Sequence, residues 1–317
     1  MKLFGAFLKL VRWPNLVFIA LTQILFYYCF VYSVEKGLPF HPNLLPPFLL
    51  FLLVLASVCI AAAGYIINDY FDLNIDKINK PAKLIVEKII HRRWAIIWHL
   101  VLTSVGVILS FYIGYKINNW LLGLMNLFTA LLLWGYSTTF KKQLLIGNIT
   151  ISLLTAWVIL VLYLCELRLF YVFNVQSEQY YNYITLLFKV TILYSGFAFI
   201  ISLVREVIKD MEDIRGDERW GCRTMPIVWG VQAAKVFTAT WLVVLIAALA
   251  IIQVYVIQIH WWWLAVYCIV FIISPLLFLF RDLYRAVKKK DFHRLSTGIK
   301  LVMLTGILSM LLFKIYH

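Results

Sequence analysis

Apolar runs long enough to cross a bilayer recur nine times in this chain, at roughly 14–34, 46–67, 94–115, 119–137, 144–165, 183–204, 227–256, 261–280 and 295–315. A hydrocarbon layer about 30 Å thick takes about 20 helical residues at about 1.5 Å rise each. Inside it every backbone N–H and C=O must be satisfied within the protein, which leaves helices or closed barrels. Runs of this length are too long for barrel strands, which need about ten residues. The expected fold is therefore all-α, a polytopic bundle of nine transmembrane helices. The third and fourth runs nearly touch, so they form a tight hairpin, and the segment from Glu166 to Tyr183 is expected to be the longest outer loop. Composition supports one transmembrane domain over residues 1–317. Hydrophobic residues make up 63% and charged ones 14%, where a soluble domain averages about 45–50% and about 25%.

The formal charge of +14 has a topological reading. If the N-terminus is cytoplasmic, 24 of the 29 Lys and Arg fall in cytoplasmic segments, and only Lys36, Lys116, Arg168, Lys189 and Lys314 remain. That asymmetry predicts an N-in, C-out chain in the cell inner membrane, with its chemistry facing the cytoplasm. With no soluble basic domain, nucleic acid is not an expected partner; membrane lipid is. Lys2, Lys9 and Arg12 precede the first run without a small-residue cleavage site, so that run reads as a retained helix. The five cysteines form no CxxC and read as small buried hydrophobes. Trp261, Trp262 and Trp263 mark an outer boundary, and Trp94 and Trp98 an inner one.

Six of the eight aspartates lie in two short segments. One runs from Asn68 to Asp76 after the second run, and the other from Asp210 to Asp217 after the sixth. Both space their acids D-x2-D-x3-D: Asp69, Asp72, Asp76 and Asp210, Asp213, Asp217. On a helix that spacing stacks three carboxylates on one face, where they repel one another. Divalent cations offset this, and Mg²⁺ takes hard oxygens, typically one or two carboxylates plus phosphate oxygens. Asn68 adds an amide oxygen one turn before Asp72. The second and sixth helices run in the same direction, so both clusters end on one side and can clamp a diphosphate. Arg205, Lys209 and Arg215 around the second cluster, and Lys77 and Lys80 after the first, supply charge that complements a pyrophosphate. Tyr70, Tyr136 and Tyr194 are candidates for stabilising a cation through their ring faces, while His91 and His99 read as interfacial.

These motifs resemble those of the UbiA superfamily of intramembrane prenyltransferases. The run Asn68–Asp76 matches its NDxxDxxxD motif, and Asp210–Asp217 its DxxDxxxD motif. Asn79-Lys-Pro81, Arg223-Thr-Met-Pro226, Arg12-Trp-Pro-Asn15 and Tyr136-Ser-Thr-Thr-Phe-Lys141 are similar to the family's flanking elements. The resemblance implies nine helices and Mg²⁺ as cofactor. Asn68, Asp72, Asp213 and Asp217 would be the core metal ligands, supported by Asp69, Asp76 and Asp210. Asp72, Asp213, Lys209 and Arg205 would carry catalysis, and Arg12, Asn15, Lys80, Tyr136, Lys141 and Arg215 would bind substrate. The wording around both motifs resembles the digeranylgeranylglyceryl phosphate synthase branch. Such an enzyme transfers a geranylgeranyl group from its diphosphate to geranylgeranylglyceryl phosphate, a lipid-soluble acceptor. The run Ala82-Lys-Leu-Ile-Val-Glu-Lys-Ile-Ile90 departs from that branch, which carries an Arg-Pro-(Leu/Ile)-Pro-Ser-Gly run there. An aromatic prenyltransferase of quinone biosynthesis is the alternative, and a cation-coupled transporter the alternative of another class.

Overall fold

A computed structural model describes residues 2–32, 45–81, 84–173 and 178–316, with backbone alone for residue 2, 168–173 and 178–180. Lys36 and residues 82–83 of the departing run lie outside the described residues.

A short helix, α1 (Lys2–Leu10), precedes the first span. It turns Leu3 and Phe4 outward and buries Ala6 and Leu10, which gives it the two faces of an interfacial helix. Arg12 then adopts a left-handed conformation (φ 53°, ψ 52°) and separates α1 from α2 (Trp13–Phe26). Pro14, in the first turn of α2, sits where no N–H is needed. The other elements are α3 (Pro47–Phe71), α4 (Leu73–Asn79), α5 (Arg92–Lys116), α6 (Trp120–Thr138), α7 (Ile146–Phe173), α8 (Glu178–Arg219), α9 (Met225–Val228), α10 (Gly230–Gln258), α11 (Trp262–Cys268), α12 (Ser274–Arg285), α13 (Lys289–Leu308) and α14 (Met310–Tyr316). Among the described residues nine helical stretches are long and apolar enough to cross a membrane, and each coincides with a run read from the sequence.

Among the described residues two π-helical turns interrupt the spans, at Tyr27–Val31 and at Ile269–Ile273. The second leads directly into Ser274-Pro275, where the proline contributes no N–H to the ladder. The hairpin between α5 and α6 takes only Ile117, Asn118 and Asn119, with Asn118 at φ 53°. The long outer loop expected between Glu166 and Tyr183 is instead mostly helix. α7 continues to Phe173 and α8 starts at Glu178, because polarity ends an apolar run without ending the helix that carries it. His99 also differs from its expectation: it is buried within α5, with Nδ1 3.0 Å from the Ala63 carbonyl, while His91 is exposed. All five cysteines are buried and free.

α3 is the most enclosed span of the bundle, and α8 is the long helix that carries the second motif. α3 packs against α2, α5 and α6, with Ala56, Ala62 and Ala63 on its buried positions, and small residues there let the backbones approach. α8 touches α4, α7, α9, α10 and α13. One buried cluster around Phe26, Leu53 and Leu162 fills the end far from α1; another around Ile208, Leu242 and Ile299 fills the half built from α8, α10, α12 and α13. A third joins α1 to the end of α3 where the first acidic motif begins.

Candidate active site

The first motif straddles a bend. Asn68 and Asp69 close α3, and the Asp72 N–H still donates to the Asn68 carbonyl at 2.9 Å. Asp72 itself has ψ −1° rather than the helical value near −42°. The chain therefore changes direction there and α4 sets off, carrying Asp76. The three carboxylates expected on one straight helical face are thus divided between α3, the bend and α4. The second motif behaves as its spacing predicts, with Asp210, Asp213 and Asp217 all within α8.

The bend brings the end of α4 onto the second motif. The Asn79 amide donates to the Asp213 carbonyl at 2.8 Å and lies 3.4 Å from Asp217 Oδ1, while its Oδ1 accepts from the Gly216 N–H at 2.9 Å. A Cβ at Gly216 would come within 2.5 Å of the Asn79 side chain, so only glycine allows this approach without displacement. Lys80 reaches Asp213 Oδ2 at 2.5 Å. Lys289, at the start of α13, donates to the Asn79 carbonyl at 2.8 Å and stands 3.9 Å from Asp213 Oδ1.

Other cations fix the remaining carboxylates. Lys141, from the turn after α6, pairs with Asp72 at 2.5 Å and lies 3.3 Å from Asn68 Oδ1. Arg12 pairs with Asp69 at 2.6 Å and covers the Tyr65 ring. The Asn148 amide donates to Asp210 Oδ2 at 2.8 Å. Outside the spans, burial and then the charge of Asp72 push the Asp76 carboxyl up to about 6. Burial opposes the charge on Lys80, but Asp213 more than offsets it, and the ammonium is held above its usual range.

Below this polar cluster lies a cavity of about 220 Å³. Arg12, Asn15, Asn68, Tyr136, Arg205 and Lys209 line its polar end, and Phe18, Ile60, Leu133 and Trp157 are among its apolar walls. Glu206, also on the wall, holds Arg205 at 3.1 Å and Lys209 at 2.9 Å.

The UbiA prenyltransferase family matches residues 24–304. The chain belongs to that family. Prenyl transfer is thus the chemistry of its class, and its curated relatives agree with the branch read from the motifs. A digeranylgeranylglyceryl phosphate synthase of Methanothermobacter thermautotrophicus is 34% identical over 61% of this chain and 62% of that protein, and so is matched over somewhat less than two thirds of its length. The synthase of the same name from Methanosphaera stadtmanae is 29% identical over 81% of this chain and 86% of that protein. Two solved structures share the fold. One, described as a study of digeranylgeranylglyceryl phosphate synthase in membranes, superposes with a TM-score of 0.64 at 22% identity over 100% of both chains. The other, a UbiA homologue from Archaeoglobus fulgidus bound to DMAPP and Mg²⁺, gives 0.54 at 14% identity over 96% of this chain and 98% of that one.

Within this UbiA member, the residues singled out from the sequence as metal, catalytic or substrate residues gather at one end of the bundle, and of these only Arg215 stands apart from the contacts. Arg215 is exposed on α8 and takes part in none of the contacts above. Of the three tyrosines, Tyr136 lines the cavity, Tyr70 lies under the Arg92 guanidinium at 4.7 Å, and Tyr194 belongs to the opposite half of the bundle. Four contributors had no assigned role in the sequence reading: Asn79, Asn148, Glu206 and Lys289. Asn148 carried one usable signal, a carboxamide at the head of an apolar run. Glu206 carried another, an acid set between Arg205 and Lys209. Lys289 reads from the sequence only as topological charge.

The donors suit a hard cation. They are carboxylates and one amide oxygen, and Asp213 Oδ1 is buried with no hydrogen-bond partner. Among the described residues no three His, Cys, Asp or Glu side chains converge into a complete metal shell. Mg²⁺ does not ask for one, since it binds through one or two carboxylates and completes its octahedron with phosphate oxygens and water.

Proposed function

We propose that this chain transfers a geranylgeranyl group from geranylgeranyl diphosphate to geranylgeranylglyceryl phosphate, in an Mg²⁺-dependent reaction that releases diphosphate. The observation that carries the proposal is the meeting of the two acidic motifs, through Asn79 and Lys80, at the polar end of an apolar cavity. The names of the curated relatives support the acceptor, and the Archaeoglobus homologue holding a prenyl diphosphate with Mg²⁺ supports the donor and the metal.

Asn68, Asp72, Asp213 and Asp217 would hold Mg²⁺, with Asp69, Asp76 and Asp210 in support. The bound metal supplies Lewis-acid charge that offsets the developing charge on the leaving diphosphate. The chain's own residues do the rest. Lys141, Lys80 and Arg12 each hold one carboxylate in place, so the acids need not rearrange when the donor arrives. Arg205 and Lys209, steadied by Glu206, present positive charge at the cavity mouth where the diphosphate lies. The apolar walls exclude water from the allylic cation left as the C–O bond breaks, and the Tyr136 ring stands on that wall. The acceptor hydroxyl attacks the allylic cation and gives up its proton to the released diphosphate, so no protein base is required, which agrees with His91 and His99 both lying outside the cavity wall. The membrane domain would sit N-in, C-out in the cytoplasmic membrane, with both motifs facing the cytoplasm.

Purified protein is expected to release diphosphate from geranylgeranyl diphosphate when Mg²⁺ and geranylgeranylglyceryl phosphate are both present, and to yield the doubly prenylated lipid by mass spectrometry. Turnover with 4-hydroxybenzoate in place of the glyceryl lipid would overturn the acceptor. Release from no prenyl diphosphate with any acceptor would overturn the activity.

A further inference from the structure

Three cavities follow one another along α8, away from the acidic motifs. The first, of about 220 Å³, is the one described above. A second, of about 80 Å³, shares with it the walls Phe18, Ile19, Thr155, Val158 and Met303. A third, of about 630 Å³, occupies the far half of the bundle among α8, α10, α11 and α13. The second and third share three wall residues: Tyr194, Phe197 and Gly306. On α8, Phe197 stands eight residues from Arg205, or ~12 Å at the helical rise, and Val190 on the third cavity stands ~22 Å away. That sequence of spaces has the direction and reach of a long, narrow apolar chain anchored by its head at the aspartates.

The junction between the second and third cavities is closed by a contact that can be named. A Cβ built on Gly306 would come within 2.9 Å of Phe197 Cε1 and 3.2 Å of its Cζ. Any side chain larger than hydrogen therefore presses on that ring. Beside it the Tyr194 hydroxyl meets Ser309 Oγ at 3.0 Å, which ties α8 to the end of α13 and fixes the frame of the junction. The wall of the second cavity is almost wholly apolar, and it offers nothing to a polar acceptor.

We infer that the distal isoprene units of the donor enter the far cavity at the Phe197–Gly306 contact, where the Phe197 ring must turn aside, and that this pair of residues sets the prenyl chain length the protein accepts. The inference rests on the proposed function and adds to it a length limit and its location. A two-unit chain ends before the junction, so it does not sense residue 306. A four-unit chain must cross it, and a five-unit chain needs it wider.

The test is a donor competition with purified wild-type protein and two variants, reading the ratio of kcat/KM for geranylgeranyl diphosphate to that for geranyl diphosphate. In Gly306→Val the ratio is expected to fall about 10-fold or more, since one or two carbons in an apolar pocket discriminate on that scale. In Phe197→Ala the geranylgeranyl preference is retained and a five-unit farnesylgeranyl diphosphate becomes a better substrate than it is for wild type. Phe197→Ala stands independently if the valine variant fails to fold. A wild-type ratio in a folded Gly306→Val variant, or no gain with the five-unit donor in Phe197→Ala, would overturn the inference. A wild-type protein that releases diphosphate from neither donor would instead overturn the proposed function.

Discussion

The first acidic motif bends and the second does not. Asp210, Asp213 and Asp217 ride on 42 residues of uninterrupted helix in α8, whose position is fixed by packing on several sides. Asp69, Asp72 and Asp76 fall across the break between α3 and α4. The bend has a purpose that a straight helix could not serve. It turns α4 across the end of the bundle and delivers Asn79 and Lys80 to Asp213, Gly216 and Asp217. One motif is a fixed wall and the other a strut built onto it. Two like-charged clusters would otherwise repel, and the interleaved Lys80, Lys141 and Arg12 hold them in one site.

The largest expected break in this arrangement comes from its buried cation. The Lys141 side chain is 9% exposed, against 34% for Lys80. Truncating one partner of a buried, hydrogen-bonded pair costs on the order of 2–5 kcal/mol. Lys141→Ala should therefore lower kcat/KM by about 10²-fold or more, and Lys80→Ala should lower it less, as steady-state kinetics would show. Equal losses would mean that the two cations are not ranked by burial. Next in size is the contact between strut and wall. Gly216→Val drives carbon into the Asn79 side chain and should cost about 1–3 kcal/mol in thermal unfolding as those hydrogen bonds are lost. An unchanged melting temperature would show that α4 does not need to dock there.

The smallest effect separates the motifs by pH. Asp76, on the strut, titrates at about 6 because it is buried beside Asp72. Below that pH it carries a proton and is a poorer cation ligand; above it the proton is gone. The Mg²⁺ concentration giving half-maximal activity is expected to rise as pH falls from 7.5 to 5.5, and Asp76→Asn should flatten that rise. A pH profile that is the same in the variant would remove Asp76 from the metal site.

Much of this was legible in the sequence, and the reasons are specific. Nine apolar runs announce nine helices because lipid leaves the backbone few other choices. The paired spacing announced the two motifs because a chain with eight aspartates concentrates six of them there. The bend at Asp72 was not legible, since i, i+3, i+7 spacing is equally compatible with a helix that continues. Nor were Asn79, Asn148 and Lys289 assigned, because they meet the acids only after α4, α7 and α13 have packed. α1 was likewise missed: nine residues are too few to register as a span, and its two faces show only against α3 and α5. The far cavity was hidden for a different reason, since packing residues and chamber walls draw on the same apolar alphabet.

The central claim is that the two motifs form one site rather than two. A double-mutant cycle on Mg²⁺-dependent diphosphate release tests it most directly, comparing Asp72→Asn, Asp213→Asn and the variant with both. Residues that act as a unit are far from additive. Each single variant is expected to lose about 10²-fold or more in kcat, and the double variant little beyond the worse of the two. Losses that multiply would show two independent sites and contradict this account.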